Sequence, residues 1–209
     1  MIRIENTDIV GWEHAIRGTR NAMNSWAKSD SSSELTGYCV GKNDHDLMMK
    51  LRNAGTDHRK FMRMITVYAD ITAPLYWWKE FDTYKVGTVA NSCSTMHKIA
   101  DKEFVLDDFS HEHLLEQDEK ALNYIVNYLN INRRSYLDTK DKTYWWQMIQ
   151  LLPSSYNQKR TVMLNYEVLA NIYKSRKNHK LYEWRDFCKW IETLPYGELI
   201  TGEDNGDTV

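Results

Sequence analysis

The sequence predicts an α+β fold: a small, mainly antiparallel sheet packed with several long helices. Three observations point there. Long stretches repeat apolar residues at helical spacing, as at Leu122, Ile125, Val126 and Leu129. One stretch, 62–71, is instead rich in β-formers (Ile65, Val67, Tyr68). Few strands are expected, near the middle of the N-terminal half, in a chain otherwise rich in helices.

The elements follow in order. A helix is expected first, ended by a polar loop at 29–34, Ser-Asp-Ser-Ser-Ser-Glu. Residues 40–53 carry Leu47, Met48 and Leu51 at helical spacing and stop near Gly55. The strand 62–71 comes next. Pro74 then stands where a helix can start, followed by Tyr76, Trp77, Trp78 and Phe81. Residues 83–94 lack periodicity and read as an extended loop. Ser110 is a candidate N-cap for a helix running through Leu114, Leu115 and Leu129. A short helix over 144–152 is stopped by Pro153. Two more helices are expected over 159–174 and 181–194, the second with Trp184, Phe187, Cys188 and Ile191 on one face. A single domain over 1–200 is expected, because no composition break marks a second. The acidic tail 201–209 is expected to be disordered.

Composition narrows the function classes. At 209 residues, with 42% hydrophobic residues and only three prolines, the chain can bury a sizeable core. Eight tryptophans and thirteen tyrosines are better explained by packing than by ring-stacking on a ligand. The formal net charge of −2 and a pI near 6.4 argue against broad binding to nucleic acid or anionic lipid. No run of ~20 apolar residues suggests a membrane span, and the N-terminal residues lack a signal peptide's apolar core. A cytoplasmic protein is therefore expected. Cys39, Cys93 and Cys188 are far apart, without a C-x-x-C pair, so neither a disulfide frame nor a zinc site is indicated. His111 and His113, two residues apart, would fall on different faces of a helix, and no metal is expected there. The basic cluster Lys174, Arg176, Lys177 and Lys180, with Arg133 and Arg134, suits a solvated surface or a nucleotide pocket better than nucleic acid.

Two distant segments carry residue types suited to a ring and a phosphate. Amide side chains such as Asn165 and Asn171 offer both donor and acceptor to the edge of a planar heterocycle. Arg176, near the expected helix end, suits a phosphate. Taken alone, these three are better explained by a solvated helix face. The earlier segment contains His58, Ala73-Pro74, Thr83-Tyr84-Lys85 and Asn91-Ser92-Cys93-Ser94-Thr95-Met96-His97. Cys93 reads as a small loop residue; a nucleophilic thiol is the less favoured alternative.

Order and spacing of these residues together resemble the flavin-dependent thymidylate synthase (ThyX) family. Its members carry a strand ending in Ala-Pro, then a helix, then R-H-R-x-x-S-x-N-E-x-S-x-R-Y. The matching residues here are Ala73-Pro74, Thr83-Tyr84-Lys85, Asn91 and Ser94, with one inserted residue between the halves. A later family run of Asn, Asn or His, Arg, His and Glu-Ile-Arg is matched by Asn165, Asn171, Arg176, His179 (after a one-residue gap) and Glu183-Trp184-Arg185. Several family arginines are replaced. Thr83 and Lys85 stand in R-H-R, Met96 replaces the later arginine, Ser92 replaces the glutamate, and 147–150 holds none upstream of Leu152-Pro153. Arg59, Arg63, Lys159 and Arg160 are candidate substitutes. The resemblance implies FAD held by His58, Tyr84, Lys85, Asn165, Asn171 and His179. It implies a pyrimidine nucleotide held by Asn91, Ser92, Ser94 and Arg176. Lys85 would act as the catalytic residue, polarising the pyrimidine. The implied reaction is reductive methylation of dUMP to dTMP, with methylenetetrahydrofolate and NADPH as co-substrates, in a homotetramer. Action on another pyrimidine nucleotide, or nucleotide binding without turnover, are the alternatives.

Overall fold

The structure, a computed structural model, describes residues 1–35 and 37–202. It has the expected α+β class, with a small antiparallel sheet among many helices. The elements are β1 (Arg3–Val10), α1 (Trp12–Arg20), β2 (Ser32–Glu34), β3 (Gly37–Cys39), α2 (Lys42–Asn53), β4 (Thr66–Pro74), α3 (Leu75–Phe81), β5 (Val89–Ser92) and α4 (Thr95–Lys98). After these come α5 (Glu116–Thr139), α6 (Lys142–Leu151), β6 (Asn157–Asn165), α7 (Tyr166–Arg176), α8 (Tyr182–Glu192) and α9 (Glu198–Thr201). Four strands form one sheet in the order β1-β4-β6-β5. The described residues fall into two compact units. The first holds Met1–Arg3, Asp70–Thr83 and Ala90–Thr161; the second holds Ile4–Ala69, Tyr84–Val89 and the chain from Val162.

Unit 1 is built on the pairing of α5 with α6. Leu122, Val126 and Leu129 of α5 pack with Met148 of α6, and Ile99, Phe104 and Phe109 complete the cluster. Asn130 is buried there with both polar groups used: its amide donates to the Phe104 carbonyl at 2.8 Å and its oxygen accepts from the Phe104 N–H at 2.9 Å. Trp77, Trp78 and Phe81 of α3 are fully buried, as their run predicted, and the Trp78 indole donates to the Gln158 carbonyl at 2.9 Å.

Five expectations change. Ser110 does not cap α5. That helix starts at Glu116, and Ser110 instead bonds Asn157 at 2.9 Å. The first turn of α5 draws on Glu116, Asp118 and Glu119 against the helix dipole. The segment 83–94 is not all loop, since β5 lies within it. The segment 29–34 is not all loop either: β2 pairs antiparallel with β3, Ser32 opposite Cys39. β5 at the sheet edge and both strands of the hairpin are largely exposed, so no apolar alternation reveals them. The first element is a strand and not a helix: β1, at the other edge and largely exposed, comes before α1 and is hidden in the sequence for the same reason.

The fifth change bears on the site. Residues 159–174 are not one helix. Gln158, Val162 and Leu164 are buried at the even spacing of a strand, and the helix begins only after Asn165. Asn165 is the N-cap of α7, its side-chain oxygen accepting from the Val168 N–H at 3.0 Å. Asn165→Ala is expected to lose about 1 kcal/mol of stability, read in chemical denaturation. In unit 2, α7 and α8 are buried through Tyr166, Leu169, Ile172, Trp184, Phe187 and Ile191, the α8 face being the one the sequence predicted.

α2 lacks a side chain of its own at its N-cap, Gly41. Asp30 of the 29–34 segment substitutes, accepting from the N–H groups of Asn43 and Asp44 at 2.9 and 3.1 Å. Asp44, fully buried, reaches back and accepts from Arg20, from the Ser29 and Ser31 hydroxyls, and from the Asp30 and Ser31 N–H groups. The polar run is therefore a locked turn. Of the expected tail, Thr201 closes α9 and Gly202 follows it in the left-handed conformation; 203–209 lie outside the described residues. Among the described residues no helix is long and apolar enough to cross a membrane.

Candidate functional site

In unit 2 the loop after α3 meets the C-terminal end of α7. Arg176, in the last turn, donates from Nε to the Tyr84 hydroxyl at 2.9 Å. Its Nη1 lies 3.0 Å from Nε2 of His179, whose Nδ1 accepts from the Leu181 N–H at 3.2 Å. The guanidinium also sits 4.8 Å from the Trp184 ring centre and 5.7 Å from that of Tyr84. Hydrogen bonds and stacking together hold the cation in one orientation. Lys85 follows directly and is exposed. Two residues on, Gly87 has φ +78°, and a Cβ there would come within 2.9 Å of Asn165 Nδ2. Only glycine lets the loop run this close to the start of α7. The two sequence segments thus converge: Tyr84, Arg176 and His179 at one end of α7, and Gly87 with Asn165 at the other.

Along α7, Glu167 is nearly buried, at 9% exposure. It accepts from Arg63 Nε at 2.6 Å and Arg59 Nε at 3.4 Å, while Arg59 Nη2 donates to Asn171 Oδ1 at 3.3 Å. Glu167 and Asn171, one turn apart, present one polar face to the turn at Arg59–Arg63. Asn165 and Asn171 do not share that helical face, because Asn165 precedes the helix. His58 starts the turn, is exposed, and lines a cleft of about 490 Å³ with Lys60, Phe61, Arg63 and Met64. Sequence reasoning missed Glu167. Its spacing of four to Asn171 was the available signal.

The remaining predicted residues lie in unit 1. Asn91 and Ser92 are exposed on β5. Ser94 caps α4, accepting from the His97 N–H at 3.2 Å. It also lines a second cleft of about 490 Å³, with Lys98, Asp101, Lys102, Tyr156 and Lys159. The backbone here is fixed by Gln158, whose amide donates to the Cys93 carbonyl at 3.1 Å and to Thr95 Oγ1 at 3.0 Å. Burial, then the nearby Asp108 and Cys93, push the Tyr156 hydroxyl above its ordinary pKa. Cys93 is exposed at this cleft, whereas Cys188 is buried and its thiol is pushed up to about 12, chiefly by desolvation.

Of the four candidate substitutes for the missing arginines, Arg59 and Arg63 are engaged by Glu167. Arg160 is paired with Asp82 at 2.7 Å and lies over the Trp78 ring. Lys159 reaches the cleft of Ser94.

No family model matches this sequence, and no curated protein does. Solved structures do match. Two are flavin-dependent thymidylate synthase ThyX from Helicobacter pylori with FAD and dUMP. One is 18% identical with TM-score 0.69, over 96% of this chain and 98% of the other. The second is 17% identical with TM-score 0.70, over 97% and 98%. A UMP/dUMP methylase, PolB from Streptomyces cacaoi, bound with 5-Br UMP, is 11% identical with TM-score 0.62, over 92% and 88%. This chain has the fold of the flavin-dependent thymidylate synthases.

Proposed function

We propose that the protein is a flavin-dependent methyltransferase of pyrimidine nucleotides, converting dUMP to dTMP by reductive methylation. The observation that carries this is the convergence of Tyr84 and Gly87 with Arg176 of α7 and the N-cap Asn165, in a fold two of whose solved examples hold FAD and dUMP.

The residues present fit FAD. The cleft at His58 has apolar walls from Phe61 and Met64, with Lys60 as its cation and Asp57 opposing it, Arg63 being engaged by Glu167; the apolar walls suit a planar ring. Asn171 offers an amide with its oxygen already bonded to Arg59, which leaves its NH2 as the donor. In this reading His58, Tyr84, Lys85, Asn165, Asn171 and His179 hold the flavin. Asn91, Ser92, Ser94 and Arg176 hold the nucleotide. When bound, FAD would supply hydride, renewed by NADPH, with methylenetetrahydrofolate as the carbon source. No protein nucleophile is required. Lys85 would set its charge against the negative charge that develops on a pyrimidine carbonyl. Arg176, fixed on three sides, would orient the nucleotide without reorganising. We further infer a single-domain, cytoplasmic homotetramer, in which residues of one site can come from different copies.

A second reading keeps the flavin and changes the nucleotide. The replacements Thr83, Ser92 and Met96 favour it, since they remove bidentate arginine and a carboxylate from the resembled motif. Both readings expect a yellow protein with flavin absorbance, as isolated or after reconstitution with FAD. A protein that stays colourless and takes up no FAD overturns both. With flavin bound, tritium release from [5-³H]dUMP separates them. Release supports thymidylate synthesis, and absence of release with dUMP but turnover on another pyrimidine nucleotide supports the second. Nucleotide binding with no turnover on any of them overturns the enzymatic reading.

A further inference from the structure

Resting on that reading, we infer that lysines in the cleft beside Ser94, Lys98 and Lys159 foremost, hold the nucleotide's phosphate in place of the motif arginine that Met96 replaces. The resembled motif holds arginine where this chain has Met96, and Met96 is half exposed. Two residues on, Lys98 lines the same cleft as Ser94, and Lys159 enters from β6 with Lys102 near by. Three lysines, Lys98, Lys102 and Lys159, line the cleft with one aspartate, Asp101. Its volume of about 490 Å³ falls within the ~300–1,000 Å³ of small-molecule sites. The Tyr156 hydroxyl, on the same wall, makes no hydrogen bond among the described residues and is available to a phosphate oxygen.

Each lysine meets a carboxylate: Lys98 with Asp101 at 2.8 Å, Lys159 with Asp70 at 3.1 Å, and Lys102 with Asp108. The lysine side chains are 71%, 40% and 67% exposed, respectively. Ion pairs this exposed are weak, and a phosphate dianion competes well for the ammonium groups. Lysine also changes how the site reads its ligand. An ammonium is a point charge without the planar fork of arginine, so the cleft recognises charge more than geometry. The motif arginines are dispensable here because a neighbouring helix and strand supply the charge.

Titration calorimetry of the full chain with dUMP, UMP and deoxyuridine tests this. Lys98→Ala and Lys159→Ala, at exposed positions, are each expected to weaken dUMP and UMP about tenfold and to leave deoxyuridine, which lacks phosphate, within twofold. Asp101→Asn, which removes the opposing carboxylate, is expected to tighten both monophosphates about twofold to fivefold, a gain that general damage to the fold would not produce. Wild-type affinity in both lysine variants overturns the lysine assignment while the functional reading stands. Equal loss of dUMP and deoxyuridine overturns it as well, because the lysines would then be acting on something other than phosphate. A wild-type chain that binds neither monophosphate brings down this inference and the functional reading together.

Discussion

Asp44→Ala is expected to destabilise the protein by about 3–5 kcal/mol, an effect large enough to threaten folding. Asp44 is fully buried and accepts five hydrogen bonds, among them 2.8 Å from Arg20 Nε and 2.7 Å from each of Ser29 Oγ and Ser31 Oγ. Removing it leaves the Arg20 charge buried without its carboxylate and leaves several donors without an acceptor. The 29–31 turn would loosen with it, and so would the cap that Asp30 gives α2. Thermal melting should show a fall of roughly 10 °C, at about 2–4 °C per kcal/mol for a chain of this length.

The same residue sets an acid limit. Burial pushes its carboxyl upward, but the bonds from Ser29, Ser31, Arg20 and the Asp30 N–H outweigh burial and hold its pKa at about 2, below the ordinary 3.8. A depressed carboxyl stabilises the fold above its unfolded pKa and loses that contribution as pH falls towards its folded pKa. The contribution, worth about 2 kcal/mol, is thus present in full above pH ~4 and fades between pH ~4 and ~2. Asp44→Asn should be less stable at neutral pH and show a shallower decline over that interval. An unchanged acid slope in this variant would remove Asp44 from the account.

Arg176→Ala is expected to weaken pyrimidine nucleotide binding about 30- to 100-fold, the equivalent of about 2–3 kcal/mol for a charged hydrogen-bonding group, and flavin binding, which shares Tyr84 and His179 with it, by clearly less. The guanidinium joins Tyr84, His179 and Trp184, so its loss removes a donor and unties the Lys85 loop from α7. Arg176→Lys should recover little of this, because an ammonium cannot bond Tyr84 and stack on Trp184 in the same pose. Calorimetry for the nucleotide and flavin fluorescence for the cofactor read the two affinities separately. Equal loss of both would refute the role given to Arg176.

Legibility followed burial. α2, α3, α6 and α8 were readable because each presents a buried face at helical spacing, or an aromatic run behind Pro74, within a few residues. The edge strands β1 and β5 were not, since their exposed residues carry no apolar alternation. The 159–174 segment misled for a different reason. Leu164, Val168, Leu169 and Ile172 fit a helix, and only the strand spacing of Gln158, Val162 and Leu164 contradicts it. A cap at Asn165 resolves the conflict by dividing the run into β6 and α7.

The candidate site was legible in residue types more than in arrangement. Tyr84, Arg176 and His179 were recognisable by order and spacing, and the structure brings them together. Glu167 was invisible as a partner because its role is to neutralise Arg59 and Arg63, which sequence alone offered as free cations for the ligand. The lysines at 98 and 102 fell outside every motif.

The sequence by itself determined the α+β class, the buried helical faces and the identity of two motif-bearing segments, because periodicity and residue type are local properties of the chain. Only the tertiary structure decided which carboxylate each cation meets and which of the cations line a cleft. Charge pairing joins residues some 100 positions apart, as Arg63 to Glu167, and no local pattern encodes that distance.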